Sequence, residues 1–319
     1  MTTSIGIDVG GTKTLGVLVE RGSGGVSVLD REQLPSDAAS PSAVDVILRV
    51  GGTLLERNAG RDIEGVGVGL AGFVDLDGVV RAAPNSPGLI DQDVRGRIEA
   101  TLGVTGLADN DANCVAVAAH RIVAPGARHL VAVTLGTGIG GGLIVDGELV
   151  RGAHGFAGEP GHMVVDPSGP RCPCGQRGCW ERYASGSGLA WLARQAVARG
   201  AASSVAASAE DPGGVSGELV AALLAAGDAG AAAIFDDYAG WVALGVANLI
   251  SVLDPDVVVL GGGVIATGDE LLVRVRRIVA DRFPAAGGRR DVAILAAPGG
   301  PEAGAIGAAL LVADPTRPS

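Results

Sequence analysis

The sequence predicts an α/β protein built from two related lobes, and three observations carry that reading. Apolar runs that end at glycine recur along the chain, helical periodicities separate them, and one hairpin signature occurs twice, as IDVGGTKTLGVLV at 7–19 and VTLGTGIGGGLIV at 133–145. Short apolar runs bounded by turn residues read as buried strands, and their alternation with helical patterns gives the α/β class.

Taken in order, strands are expected at 5–9 and 15–19, with small residues between them where the chain must reverse sharply. A helix follows at 43–57, a strand at 66–70 and a helix at 93–102. The apolar stretch 104–108 then leads into a helix at 111–122. The second half opens with strands at 131–135 and 141–145, and continues with a helix at 231–253, a strand at 257–260 and a helix at 271–283. The stretch 201–217, rich in Ala, Ser and Gly, reads as a flexible surface connection. No heptad or solenoid period is visible.

Composition narrows the function. The chain has 319 residues, 47% of them hydrophobic, and a net charge of −11, a balance that excludes disorder and predicts about two domains. The 53 glycines follow no collagen period and mark turns and close backbone approach. Lys13 is the only lysine, so the chain lacks the basic surface that nucleic acids and anionic membranes require, and neither is expected as a partner. The N-terminus carries no cationic segment ahead of its apolar stretch, and residues 136–142 and Asp254-Pro255-Asp256 interrupt the most apolar later stretches. A soluble, cytoplasmic protein is expected.

The first chemical motif is Asp8-Val9-Gly10-Gly11-Thr12-Lys13. It reads either as a plain glycine hairpin or as a cradle in which backbone N–H groups and a hydroxyl hold phosphate while an acid holds a metal ion. Leu135 to Gly142 repeats this chemistry, and Leu260-Gly261-Gly262-Gly263-Val264 follows another apolar strand. Three strand-terminal glycine clusters favour phosphate and adenosine binding over three unrelated turns. In Asp109-Asn110-Asp111-Ala112-Asn113, Asn110 or Asp111 can serve as a helix N-cap. Two acids and two amides exceed what one cap needs, and a carboxylate at a strand end can act as general base toward a sugar hydroxyl.

The segment 155–181 is the most specific. Three of the four cysteines, Cys172, Cys174 and Cys179, lie within eight residues, and His162 stands ten residues upstream. This is a full Cys3His set for structural, tetrahedral zinc, with free thiols as the alternative. Glu159 and Glu181 flank the ligands, either as solvated charges or as acceptors for sugar hydroxyls. Cys114 lies in an apolar helical pattern and reads as core, and His120, His129 and His154 read as surface or packing residues.

Together, DVGGTK at 8–13, PNSPG at 84–88, DNDAN at 109–113, LGTGIGGG at 135–142, GEPGH at 158–162 and CPCGQRGCWERYASG at 172–186 resemble the ROK family of bacterial sugar kinases across nearly the whole chain. The resemblance implies the two-domain actin-like ATPase (sugar kinase/ribonuclease H-like) fold with a zinc loop. It divides the chain into a smaller N-terminal domain, 1–115 completed by the C-terminal helix 302–319, and a larger domain, 116–301, holding the zinc loop 155–182. It implies ATP with Mg2+ and structural Zn2+ as cofactors, and a homodimer or homotetramer.

By motif, the resemblance makes Asp111 the catalytic base, and it gives Asn85, Asn110, Asp111, Glu159, His162 and Glu181 to sugar binding. Asp8, Gly10, Gly11, Thr12, Lys13, Thr137 and Gly138 fall to the phosphates and magnesium, and Gly262 and Gly263 to adenosine. Zinc falls to His162, Cys172, Cys174 and Cys179, so that His162 serves both zinc and sugar. CWERYASGS at 179–187 is similar to the glucokinase form and implies phosphorylation of glucose at its 6-hydroxyl. The alternatives are mannose, N-acetylglucosamine, N-acetylmannosamine or another hexose, and a sugar sensor without catalysis. Ser86 and His120 depart from the glucokinase pattern, the first beside the implied sugar site.

Overall fold

A computed structural model describes residues 1–36, 43–83, 86–209, 214–264, 269–282 and 291–312. The first half runs β1 (Thr2–Val9), β2 (Lys13–Gly22), β3 (Gly25–Pro35), α1 (Ala43–Arg57), β4 (Ile63–Leu70), β5 (Phe73–Val74), β6 (Val80–Ala82), α2 (Val94–Leu102), β7 (Thr105–Asn110) and α3 (Asp111–Ile122). The second runs β8 (Leu130–Leu135), β9 (Ile139–Val145), β10 (Glu148–Leu149), α4 (Glu181–Ala184), α5 (Gly186–Ala198), α6 (Ser203–Ser208), α7 (Gly217–Ala225), α8 (Ala229–Leu253), β11 (Val257–Gly261), α9 (Glu270–Arg282), β12 (Ala293–Ala296) and α10 (Ala303–Val312). Packing divides the chain into two units, Met1–Ala132 with Gly142–Gly158 and Ala297–Ser319, and Val133–Gly141 with Glu159–Ala296.

One sheet has the order β3-β2-β1-β4-β7, the other β10-β9-β8-β11-β12. The repeated hairpin signature thus corresponds to a repeated strand order. In the first sheet β1 pairs antiparallel with β2 and parallel with β4, and β4 pairs parallel with β7. The carboxyl ends of β1, β4 and β7 therefore share one edge, where ligands of open α/β sheets bind.

Strand alternation assigns each face of β1. Ile5, Ile7 and Val9 enter a core with Ile47, Val50 and Leu54 of α1 and Val94 and Ile98 of α2. Ser4, Gly6 and Asp8 face α10: the Ser4 hydroxyl donates to Ala309 O at 2.8 Å, a side chain at Gly6 would strike Ala305 O, and the Asp8 carboxylate lies 2.9 Å from where Gly304 would carry a Cβ. Every residue of α10 is buried, as expected of a helix apolar all round.

The strand β3 escapes a search for apolar runs because it alternates exposed and half-buried residues along a sheet edge. The expected flexible connection 201–217 holds α6 and buries Val205, which corrects that expectation in part. Residues 210–213, Phe283 and 313–319 lie outside the described residues. Cys114 is fully buried, and His120 bonds Ala127 O through Nε2 at 2.9 Å. Among the described residues no single helix is long and apolar enough to cross a membrane, although α7 and α8 together, bent by 120°, pass by length and composition.

Candidate active site

In the first unit, β1, β4 and β7 end in register, with Asp8 beside Gly69 and Gly69 beside Asp109. One residue on, Asn110 caps α3: its Oδ1 accepts the Ala112 and Asn113 N–H groups at 2.8 and 3.2 Å, and its Nδ2 donates to Gly72 O at 3.0 Å. The capping reading is thus correct for Asn110, and among the described residues one amide hydrogen is left for another acceptor. Asp111 opens the helix, with Oδ1 accepting the Ala112 N–H at 2.9 Å.

Burial pushes the Asp111 carboxyl up to about 6 against the pull of that hydrogen bond. Burial first, and then the Asp111 charge, push Asp8 up to about 7, opposed by Lys13. Two neighbouring carboxylates that resist ionisation together make this edge receptive to cations and to protons. Beside them, the Gly10 N–H donates to Lys13 O at 3.0 Å, closing a hairpin with Gly11 and Thr12 exposed at its tip.

In the second unit the corresponding turn follows β8. The Gly136 N–H donates to Gly138 O at 3.0 Å, the Gly186 N–H at the start of α5 donates to Gly136 O at 2.8 Å, and the Ser187 hydroxyl donates to Thr137 O at 2.8 Å. Gly262, at φ +90°, lies so close to β8 that a Cβ there would sit 2.5 Å from Leu135 O. Thr137, Gly138, Gly262 and Gly263 are thereby assembled around the ends of β8 and β11. Gly138 also stands against the sugar candidate Glu181, whose Oε2 is 2.8 Å from the missing Cβ.

The ligand atoms of His162, Cys172, Cys174 and Cys179 all lie within 4.8 Å of one another. The Cys174 and Cys179 sulfurs are 3.6 Å apart, and Cys172 Sγ is 3.8 Å from His162 Nδ1. Tetrahedral zinc with Zn–S bonds near 2.3 Å puts sulfur ligands about 3.8 Å apart, so the donors fit the ion. Gly175 at φ +97° and Gly178 at φ +65° let the loop wrap. Trp180, fully buried, donates through Nε1 to Trp241 O at 2.8 Å, and Tyr183 stacks on Trp241 at 4.1 Å, which seats the loop on α8. Glu181 Oε1 lies 2.9 Å from Cys172 Sγ and 3.7 Å from His162 Nδ1. Glu159 directly precedes the 3-10 turn Pro160–His162 and accepts the His162 N–H on its carbonyl at 3.2 Å.

Asn85 lies outside the described residues, while Ser86 is buried at the start of the 3-10 turn Pro87–Leu89. Sequence reasoning missed the docking of Thr137 on Ser187 and the ion pair of Arg151 with Asp109. The N-cap pattern Ser185-Gly186-Ser187-Gly188 pointed to the first; nothing local marks Arg151.

The chain matches the ROK family over residues 4–315. It is 34% identical to a glucokinase of Streptomyces coelicolor, with 99% of each protein covered. It is 33% identical to an N-acetylmannosamine kinase of Citrobacter koseri, over 97% of this chain and 98% of that one. Among solved structures, a ROK family glucokinase from Streptomyces griseus in complex with glucose and AMPPNP has a TM-score of 0.83 at 34% identity, covering 97% of this chain and 98% of that chain. A match that runs from the first strand through the last helix leads to one conclusion: the chain belongs to the ROK family and has its α/β actin-like ATPase fold with a Cys/His loop suited to zinc.

Proposed function

We propose that this protein is an ATP-dependent sugar kinase that transfers the γ-phosphoryl group of ATP to the 6-hydroxyl of glucose. The observation that carries the reading is Asp111, a desolvated carboxylate at the carboxyl ends of the parallel strands β1, β4 and β7, with its pKa raised to about 6. A general base works best when its pKa lies near the working pH, so that it is ionised yet still takes up a proton. Asp111 would accept the proton of the attacking hydroxyl, and Asn110, with one amide hydrogen uncommitted among the described residues, would donate to a sugar oxygen. Asn85, Glu159, His162 and Glu181 are the further sugar-binding candidates.

The phosphates fall to the two hairpin turns. Gly262 is required by the Leu135 backbone beside it and by its φ of +90°, whereas Gly11 and Gly263 meet nothing within 4 Å among the described residues and have ordinary φ. Surplus glycines at exposed tips suit a ligand that approaches the backbone closely. Thr12, Lys13 and Thr137 would add hydroxyl and ammonium donors, and Gly262 and Gly263 would lie along the adenosine. When bound, Mg2+ would neutralise phosphate charge, with Asp8 helping to hold it or its waters. Zinc held by His162, Cys172, Cys174 and Cys179 would be structural. His162, facing Cys172 through Nδ1, keeps Nε2 for a sugar hydroxyl.

The glucokinases of S. coelicolor and S. griseus, the latter with glucose and AMPPNP, support glucose and ATP. The similar N-acetylmannosamine kinase of C. koseri favours a second reading, with the same chemistry on an N-acetylhexosamine. The test is ADP release with Mg2+ and ATP against glucose, mannose, N-acetylglucosamine, N-acetylmannosamine and fructose, with Asp111→Asn as control. Glucose-dependent turnover lost in Asp111→Asn is expected. Preference for another sugar would move the substrate, and sugar-dependent thermal stabilisation without ADP would point to a sensor.

A further inference from the structure

Asp109 lies two residues before the candidate base and is almost fully buried, at 5% exposure. One of its oxygens accepts the Asn110 N–H and the Asn113 Nδ2–H, each at 2.8 Å. The other accepts Arg151 Nε at 2.8 Å. A buried carboxylate needs a compensating cation, and breaking such a pair is costly because the remaining charge stays desolvated. Asn113 is itself fully buried, and its Oδ1 has no partner among the described residues, so its amide is oriented through Asp109.

Arg151 reaches this position from a separate loop. Its carbonyl accepts the Ala157 N–H at 3.0 Å, closing the segment 151–157 on itself. Gly155, at φ +89°, lies so close to the segment after Gly72 that a Cβ would stand 2.5 Å from Val74 O. Phe156 meets Phe73 edge-on at 5.3 Å. The loop is thus anchored independently of α3, on the stretch that begins at the Asn110 acceptor Gly72. Two struts converge on the cap: Gly72 holds the Asn110 side chain, and Arg151 holds the Asp109 carboxylate on which the Asn110 N–H and Asn113 depend.

We propose that Arg151 is a positioning residue for phosphoryl transfer: through Asp109 it fixes the end of β7 and the first turn of α3, and with them the aim of Asn110 and Asp111. The proposal rests on Asp111 being the base. Misplacing a reacting group by about 1 Å can cost ~100-fold in rate. Arg151→Met is therefore expected to lower kcat for sugar-dependent ADP release by roughly 10- to 100-fold, with the KM for ATP within about twofold of wild type. Because the contact with Asp109 is a single Nε donor, Arg151→Lys should recover most of the lost kcat.

Arg151→Met leaves a buried charge unpaired, so the double variant Asp109→Asn/Arg151→Met is measured beside it. Asn at 109 retains the acceptor for Asn113 and Asn110, and thermal unfolding should give a midpoint near wild type. Reduced kcat in this folded, neutral variant is the expected result. Wild-type kcat in either Met-bearing variant, or no recovery in Arg151→Lys, would overturn the proposal while Asp111→Asn stays inactive. Full turnover in Asp111→Asn would instead remove the base assignment, and the positioning role with it.

Discussion

Replacing Asp111 with Asn should abolish turnover and, in the same molecule, raise stability at neutral and alkaline pH. The carboxyl titrates at about 6 in the folded protein against 3.8 for a free side chain. The folded state therefore binds a proton more tightly than the unfolded one, and ionising Asp111 works against folding. Two units at 1.36 kcal/mol each give roughly 3 kcal/mol above pH 7, falling to about half of that at pH 5, where the folded carboxyl is mostly protonated. Asn retains the Oδ1 acceptor for the Ala112 N–H, so the variant loses the charge without losing that bond. A denatured state that keeps some structure reduces the gain to about 1–3 kcal/mol. Urea unfolding of wild type and Asp111→Asn at pH 8 and pH 5 measures it. Equal midpoints at pH 8, or a gain that does not change with pH, would refute the electrostatic reasoning.

The same pKa fixes an acid limb for catalysis: kcat should fall through pH 6 and approach tenfold per unit below it, and a rate flat to pH 5 would exclude Asp111 as the titrating base. For Asp8, whose folded carboxyl keeps its proton to about pH 7, wild-type stability should decline as pH rises from 4 to 7 and level off above, read by thermal unfolding across that range. Zinc removal, or Cys174→Ser, should expose residues 159–182 to hydrogen exchange and alter the fluorescence of Trp180 and Trp241; metal analysis should find one zinc per chain. Gly11→Ala should change stability by less than about 0.5 kcal/mol while raising the KM for ATP, whereas Gly245→Ala should cost more than about 2 kcal/mol because its Cβ would overlap the Trp180 indole.

Much of this architecture is legible from sequence because it rests on local rules. Five helices and six strands follow from apolar periodicity, with ends displaced by a few residues. What escapes is what depends on partners. The edge strand β3 carries alternating polarity and charges that pair with Arg57, so no single window reveals it. The small helices around 181–225 are short and Ala- or Gly-rich, and form by packing on α8. At the site, Cys172, Cys174, Cys179 and His162 announce themselves by spacing, and Asn110 by its place before a helix. Arg151 carries no local sign, since its meaning comes from Asp109, brought to it only by the fold.

The helix α10 closes the first sheet from the far end of the chain. Its residues Ala305, Ile306, Ala308 and Ala309 share a core with Leu15, Val17 and Val19 of β2 and with Cys114 and Val117 of α3. On a ribosome that adds residues from the N-terminus, the strands that carry Asp8 and Asn110 emerge well before the helix that covers them. The face of this sheet that packs on α10 stands open until residues 303–312 are made, and Asp8 lacks its neighbour Gly304 until then. Long-range closure of this kind slows folding and leaves partly built chains prone to association. A chain released before residue 303 would hold every residue of the candidate catalytic edge and still leave that edge without its cover.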